Sequence, residues 1–539
     1  MKLNIKNLVF LVTTVAVTGI SCKKQDFNNT QPDSITGTTV DYRTVLPASL
    51  ASTATVIDGG NWKFLQNWMG YWARSGSFQD ITDEESYVFD NDFNVGVWNS
   101  LYANATNYNF IVLKAQAAGA PFYEGIARIM KSLDFQMLVD IYGNVPYSKA
   151  FQGAEGRTPA YDKGQDIYDS LFVDIDRAIA LIKDANTTID NNPEIFKNDY
   201  LYGAADLAHY DIDHAKLMWT KLANTIKLRM IIHASQAPGF DAAGKMTVIT
   251  NEGSGFLGAG ETAKINPGYS PSKPSPYWRA YVLSEAGTST ALGPLERANA
   301  YSVGPNPADP SGLGYYQYNG DPRLDQFYNP PSGGPQKGIQ YGLPAPPPSQ
   351  NLSGDKLSTV DGFAYSPAGA SSDAWIFTDF ESLFLQAEAA NRTLLAGDPQ
   401  TILESAMDQS FIATGLTAAD ASGYRTTNAG YPDVDYSATG GGLFTILSQK
   451  WFALNGFSTL EVWTDWRRTD VVYGAPVGYQ PGPPVSINPA VPAGRGIPIR
   501  LYYPQNEYNY NAANVSAQGT IDVTSAATTL TGRIFWDIN

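Results

Sequence analysis

The stretch YEGIARIMKSLDFQMLVDIYG, residues 123–143, carries the clearest fold signal in the chain. Its apolar residues recur every three or four positions, which places them on one face of an α-helix. They are Ile126, Ile129, Met130, Leu133, Met137, Leu138 and Ile141. We expect the helix to end at Gly143, because glycine favours helix C-termini and Pro146 prevents further turns.

Helical periodicity also occurs in four other segments, residues 167–182, 217–235, 375–397 and 443–457. Short loops between such segments favour a mainly α-helical fold, either a solenoid or an irregular bundle. No repeat of fixed period is visible, so the pattern alone leaves the repeat class open.

The remaining long segments are rich in Gly, Pro, Ser and Tyr. Residues 239–372 contain PSKPSPYW and LPAPPPSQ, and residues 471–539 form a second stretch of this kind. Such composition is typical of loops. We therefore expect a single domain over residues 37–539, with a helical scaffold at about 37–238 and 373–470, a loop-rich insert outside the core at 239–372, and a loop-rich tail.

The N-terminus has the pattern of a bacterial export signal. A basic start precedes an uncharged apolar run from Leu8 to Ile20, which is too short to cross a membrane as a helix. Cys22 follows and is the only cysteine, so no intramolecular disulfide can form. We expect residues 1–21 to be removed, Cys22 to be lipidated and residues 22–36 to form a tether. An ordinary cleaved signal with a free thiol is the alternative.

Charge and composition exclude several classes of function. The chain has 36 Lys and Arg against 52 Asp and Glu, a net charge of −16, which argues against nucleic acid and against electrostatic binding to anionic lipid. With Cys22 assigned to the anchor, thiolate chemistry is excluded, and the three histidines lack the i, i+4 spacing of a helix-borne zinc pair. We predict no catalytic residue, no metal and no cofactor. A structural Ca²⁺ near Asp90 and a carboxylate pair for glycoside hydrolysis stay open as alternatives.

Five segments resemble the SusD/RagB family of nutrient-binding outer-membrane lipoproteins, in their order and spacing. They are WNSLYANATNYNFIV at residues 98–112, LVDIYGNVPYSKA at 138–150, WTKLANTIKLRMIIHAS at 219–235, QKWFALNGFSTLEVWTDWRRTD at 449–470 and IPIRLYYPQNEYNYNAANV at 497–515. The resemblance implies a single domain of tetratricopeptide-like helix pairs that form a solenoid scaffold, with a loop-rich half that binds the ligand.

The resemblance also implies a function and a partner. Members of this family are lipid-anchored at the outer membrane, face the cell exterior and deliver a nutrient to a SusC-type TonB-dependent transporter. The nutrient is a glycan or, in RagB-like members, a peptide. We expect this chain to capture an oligosaccharide without transforming it. Peptide capture is the first alternative, and a surface glycan hydrolase is the second.

Ligand-binding residues are expected where aromatic and polar side chains occur together outside the clear helices, because sugars pair apolar C–H faces with hydroxyls. Two segments have this mixture. Residues 61–80 supply Tyr71, Trp72 and Arg74, and the loop-rich insert supplies Tyr277, Trp278, Tyr315 and Tyr316. We predict that these residues form a ligand surface, although the i, i+4 spacing of Trp68 and Trp72 indicates that some of the rings are core.

Other aromatic and charged residues of the family-like segments are expected to be structural. Tryptophan at helical spacing is more often core than surface, and paired arginines often satisfy helix C-termini or acidic neighbours. This expectation covers Trp451, Trp463, Trp466, Arg467 and Arg468 in one segment and Trp219, Asn224 and Arg229 in another, with His233 as a satisfied core histidine.

Overall fold

α-Helices make up most of the computed structural model, which describes residues 40–305, 312–344, 351–360, 369–469, 483–524 and 532–538. The mainly helical fold predicted from the sequence is confirmed. The predicted signal, Cys22 and the tether lie outside the described residues. Within the described ranges, no helix is long and apolar enough to cross a membrane.

The helices of the described residues are numbered here in chain order. They are α1 Tyr42–Asp58, α2 Lys63–Trp68, α3 Thr82–Ser86, α4 Val95–Ala118, α5 Pro121–Tyr142, α6 Gly164–Lys183, α7 Ile195–Asn198, α8 Ile212–Ala234, α9 Ala242–Glu252, α10 Pro276–Tyr281, α11 Leu292–Leu295, α12 Ala300–Val303, α13 Tyr315–Tyr318, α14 Leu324–Phe327, α15 Asp379–Asn391, α16 Pro399–Ala413, α17 Ala418–Thr427, α18 Leu443–Leu454, α19 Thr459–Arg468, α20 Gln505–Tyr510 and α21 Ala512–Ser516.

Four short strands form two antiparallel pairs in the described part of the chain. The strands are β1 Trp72–Arg74, β2 Ala263–Ile265, β3 Glu296–Ala298 and β4 Ala374–Phe377. β1 pairs with β3, and β2 pairs with β4. Each pair joins a strand of the insert to a strand outside it, so the insert is held against both halves of the helical scaffold.

The long helices α4, α5 and α6 pack side by side in chain order. Only Gly119 and Ala120 separate α4 from α5, which makes these two helices antiparallel neighbours. α5 is buried along almost its whole length, including Leu133 and Met137 of the apolar face identified in the sequence. It ends before Gly143, whose φ of 75° favours glycine, so the predicted end of this helix is confirmed.

Helix α8 connects the N-terminal helices to the second half of the chain. It packs against α6, α9 and α15. Trp219 Nε1 donates to a carboxylate oxygen of Asp199 at 2.7 Å, while Asn224 and Arg229 bond to acidic side chains of α9 and α15. The prediction that this set of residues ties neighbouring helices together is confirmed.

Helices α15, α18 and α19 share a buried ionic cluster, which consists of Glu388, Lys450, Glu461, Asp465 and Arg468. Arg468 donates to both carboxylate oxygens of Glu388 at 2.7 Å. Lys450 Nζ lies 2.6 Å from Glu461 and 3.0 Å from Asp465. Because an unpaired charge in the interior is costly, these pairs fix the relative positions of the three helices.

The remaining residues of this segment are mostly buried as well. Trp451, Trp463 and Arg467 are buried, whereas Trp466 is partly exposed. His233 lies between the carboxylates of Asp140 and Glu461, with its Nε2 2.8 Å from Glu461. Burial lowers the pKa of His233, but the two carboxylates outweigh this effect and raise the pKa above its usual 6.5. The interpretation of His233 as a satisfied core histidine is confirmed.

The insert at residues 239–372 differs from its prediction as a loop outside the core. It begins with the 11-residue helix α9, and its aromatic residues Tyr281, Tyr301 and Tyr328 are buried. The prediction that this segment lies outside the core is therefore wrong. Most later helices of the insert have four residues, which is too short for a periodic pattern to reveal, and the Gly and Pro that interrupt the pattern do not prevent burial.

Candidate functional site: a cleft beside strand β2

The structure buries six of the seven residues predicted to bind the ligand. Tyr71, Trp72, Arg74, Tyr277, Tyr315 and Tyr316 are each at most 4% exposed, whereas Trp278 is partly exposed. A ring needs an open face to stack on a sugar. These six side chains are therefore not available to a ligand in this structure.

The two predicted segments do meet, but they meet in the core. Tyr71 stacks on Trp451 with ring centroids 4.6 Å apart, and its hydroxyl donates to the Trp451 carbonyl at 2.6 Å. Tyr315 and Tyr316 contact the same indole, with centroid distances of 5.2 and 5.6 Å. The aromatic residues predicted to form a surface thus surround a core tryptophan.

Trp72 and Arg74 lie on β1, which the insert covers through its pairing with β3. The Trp72 ring lies 6.2 Å from that of Tyr277 in an edge-on arrangement. Arg74 pairs with Glu85 at 2.6 Å and with Asp80 at 2.9 Å. Trp72 therefore packs against the insert, whereas Arg74 holds the loop after β1 in place.

Trp278 is the member of the predicted set that keeps an open side. It lies on the short helix α10, and a β-carbon built at Gly369 would lie 3.6 Å from its ring. Ser371 and Ser372, which follow Gly369, line a large open cavity. The contact of Trp278 with a ligand stays a prediction, and Trp278 itself is not among the residues that line this cavity.

The open cavity, called here the first cavity, has a volume of about 460 Å³ and lies beside strands β2 and β4. Its lining includes Lys264, Asp373, Trp375, Asp379, Gln409 and Phe457. Ligand sites usually have volumes of about 300–1,000 Å³ and combine apolar walls with a few polar groups. The first cavity meets both conditions and is the candidate site.

Strand β4 positions Trp375 in the wall of the first cavity. The backbone of Trp375 pairs with that of Lys264 in β2, and Trp375 Nε1 donates to the Phe457 carbonyl at 3.0 Å. The rings of Trp375 and Phe457 lie 4.6 Å apart, and Phe380 packs edge-on against Phe457 at 5.0 Å. Trp375 keeps 9% of its surface exposed. These contacts fix the indole in one orientation, so the mostly buried ring contributes a small, rigid apolar patch to the wall.

Polar groups surround this aromatic wall. Asp379 begins α15 and accepts hydrogen bonds from the Gly260 amide at 2.6 Å and the Thr262 hydroxyl at 2.9 Å. Lys264 and Asp373 form an ion pair of 2.7 Å, with side chains 55% and 38% exposed. Ammonium, carboxylate and amide groups of this kind can donate to or accept from ligand hydroxyls.

The described residues contain no group of three or more His, Cys, Asp or Glu that could hold a metal ion. The exposed His209 pairs with Asp206 at 2.8 Å. His214 lines a second cavity, which also contains residues of β2.

Sequence reasoning missed Trp375, because residues 375–397 were interpreted as one helix. The structure places Trp375 on β4, and the helix begins only at Asp379. Thr378 caps it by accepting from the Glu381 amide at 3.3 Å. The pattern Thr378-x-x-Glu381 is a recognised helix start. This pattern could have placed the start of the helix after Trp375.

Comparisons with known proteins add the family. A model of the SusD-like family, described as "Starch-binding associating with outer membrane", matches residues 38–504. No curated protein matches the chain. Among solved structures, a chitin-binding SusD homologue from Flavobacterium johnsoniae is 21% identical, with a TM-score of 0.68 over 92% of this chain and 99% of that one.

Two further solved structures give the same result. A SusD homologue from Bacteroides thetaiotaomicron is 18% identical, with a TM-score of 0.68 over 93% of this chain and 99% of that one. A SusD homologue from Parabacteroides distasonis is 19% identical, with a TM-score of 0.67 over 92% and 98%. These matches confirm the predicted scaffold of tetratricopeptide-like helix pairs. The chain belongs to the SusD-like family.

Proposed function

We propose that this protein captures a glycan in the first cavity at the outer surface of a bacterium and delivers it to a SusC-type TonB-dependent transporter. The observation that carries the proposal is a cavity of about 460 Å³ whose wall combines the mostly buried indole of Trp375 with exposed Lys264 and Asp373. An apolar wall with flanking hydrogen-bonding groups is complementary to a sugar ring. Lipidation of Cys22 would hold the protein at the membrane.

The family description and the name of one relative support a glycan ligand. The family model is described as starch-binding, and one similar structure is of a chitin-binding protein. Oligosaccharides of N-acetylglucosamine and of glucose are therefore the first ligands to test. None of these comparisons favours the peptide alternative, and binding without hydrolysis is the activity that we propose.

The test is calorimetry with both oligosaccharide series against variants of the first cavity. Ile412→Trp places a large ring at an exposed lining position, 46% exposed, and should weaken binding at least tenfold by filling the site. Val173→Trp is the matched control, because Val173 is 70% exposed on α6 and lines none of the cavities described here.

A milder variant tests the polar rim. Gln409→Ala removes a hydrogen-bonding side chain, and a hydrogen bond is worth about 0.5–1.5 kcal/mol, which corresponds to roughly 2- to 10-fold in affinity. Unchanged binding in both Ile412→Trp and Gln409→Ala would place the ligand elsewhere. Release of shorter saccharides during incubation would contradict capture without hydrolysis.

A further inference from the structure

A second cavity adjoins the first cavity beside strand β2. The second cavity has a volume of about 410 Å³. Both cavities are lined by Gly260, Thr262, Lys264 and Asp373. The ion pair of Lys264 and Asp373 therefore lies between the cavities and belongs to both.

The walls of the second cavity combine apolar and polar side chains. Leu201, Met218 and Ile265 supply apolar surface, while His214 and Asn266 supply hydrogen-bonding groups. This mixture is the same as in the first cavity. It differs from a purely polar surface groove, because apolar side chains can contact the C–H faces of a sugar.

The second cavity is held in shape by contacts behind its walls. The Asp199 carboxylate accepts from the amides of Leu201 and Tyr202 at 3.0 and 3.2 Å, and it also accepts from Trp219. Lys221 Nζ contacts both oxygens of the lining residue Glu261 at 2.7 and 2.9 Å. A preformed site loses less entropy on binding than a flexible one.

The ion pair between the cavities can exchange partners with little loss of energy. Lys264 and Asp373 are 55% and 38% exposed, and exposed pairs contribute little to stability. Asn266 Nδ2 also donates to Asp373 at 2.9 Å. A chain of sugars crossing this point would lie beside an ammonium, a carboxylate and an amide, which can bond to its hydroxyl groups.

The charges in the cleft also indicate the class of glycan. Lys264 is paired with Asp373, and Lys221 is paired with Glu261. The Asp379 carboxylate adds negative charge at the first cavity. No excess of cations is available in the two linings to bind a sulfated or uronic acid chain.

We infer that the ligand is an uncharged oligosaccharide long enough to occupy both cavities and cross the Lys264–Asp373 pair, so that the protein selects for chain length. The inference rests on the proposed function of the first cavity. It adds the second cavity as a further subsite and names the charge and extent of the ligand.

The experiment is calorimetry with N-acetylglucosamine and glucose oligosaccharides of increasing length. Affinity should rise about tenfold or more between chains that fill one cavity and chains that reach both. His214→Trp should block the second cavity. The affinity for long chains should then fall to that for short chains, and the affinity for short chains should stay the same. His209→Trp is the matched control, because His209 is also exposed but does not line the cleft.

The outcomes separate this inference from the proposed function. Short chains that bind as tightly as long ones overturn the inference and leave the proposed function standing. Loss of short-chain binding in His214→Trp, with a wild-type melting temperature, also overturns it, because the second cavity would then be the primary site. Tighter binding of a uronic acid oligosaccharide than of a neutral one contradicts the ligand class. If neither series binds at any length, the proposed function fails as well.

Discussion

The carboxyl group of Glu296 has an unusual environment that can be tested by substitution. Its side chain is fully buried, and Lys63 Nζ lies 3.5 Å from it but only 2.7 Å from Glu84. Burial raises the pKa of Glu296, Lys63 lowers it in part and Glu84 raises it again, so that it moves from 4.5 to about 7 in total. The folded protein therefore favours the neutral acid more than the unfolded chain does.

This shift makes stability depend on pH with a defined sign. A folded-state pKa above the unfolded value gives a contribution to stability that is complete below about pH 4.5 and is lost as pH rises through about 7. At about 1.4 kcal/mol per pKa unit, ionising the buried group costs on the order of 3 kcal/mol. For a chain of about 500 residues, this corresponds to about 3 °C in melting temperature.

Glu296→Gln should remove that cost, because glutamine keeps the shape of the side chain and stays neutral. We expect the variant to melt about 3 °C above the wild type near pH 8.5 and to show little difference near pH 5. Glu285→Gln is the control, because Glu285 is exposed and should give the same small difference at both pH values. Thermal melts of the three proteins at both pH values measure this. An equal difference between Glu296→Gln and wild type at the two pH values would refute the reasoning.

Other predictions concern the core, the anchor and the partner. Arg468→Leu leaves Glu388 buried without its bidentate partner and should cost about 3–5 kcal/mol, measured as a lower urea midpoint. Trp72→Ala should lower the melting temperature through a loss of about 3–5 kcal/mol, and more than Trp278→Ala, whose ring is partly exposed; the reverse order in thermal melts contradicts the burial of Trp72. Cys22→Ala should release folded protein into the soluble fraction, and palmitate labelling of the wild type checks the anchor. Affinity purification from detergent-extracted outer membranes should recover a transporter; recovery of this protein alone, from cells that express the transporter, contradicts the partnership.

The long helices could be predicted from sequence because their signals are local. In α5, the apolar periodicity and the glycine at position 143 depend only on residues within the helix and just after it. The same holds for α8, where the residues on one face were correctly interpreted as contacts between helices. Such elements need no knowledge of the rest of the fold.

The site was harder to predict because exposure depends on contacts between residues far apart in sequence. Tyr71 is buried because its ring stacks on Trp451 at 4.6 Å, and the two residues are 380 positions apart in the chain. No property of residues near Tyr71 encodes this contact.

Composition alone therefore cannot separate an aromatic ligand platform from an aromatic core. Trp72 and Trp375 both lie on short strands, and both strands pair with a strand of the insert. Tyr277 and Tyr281 of the insert cover Trp72, which is 1% exposed, whereas Trp375 lines the first cavity and is 9% exposed. The difference arises from how the insert folds back on each strand. Since that packing is set by long-range contacts, the position of the cleft became visible only when the two strand pairs were known.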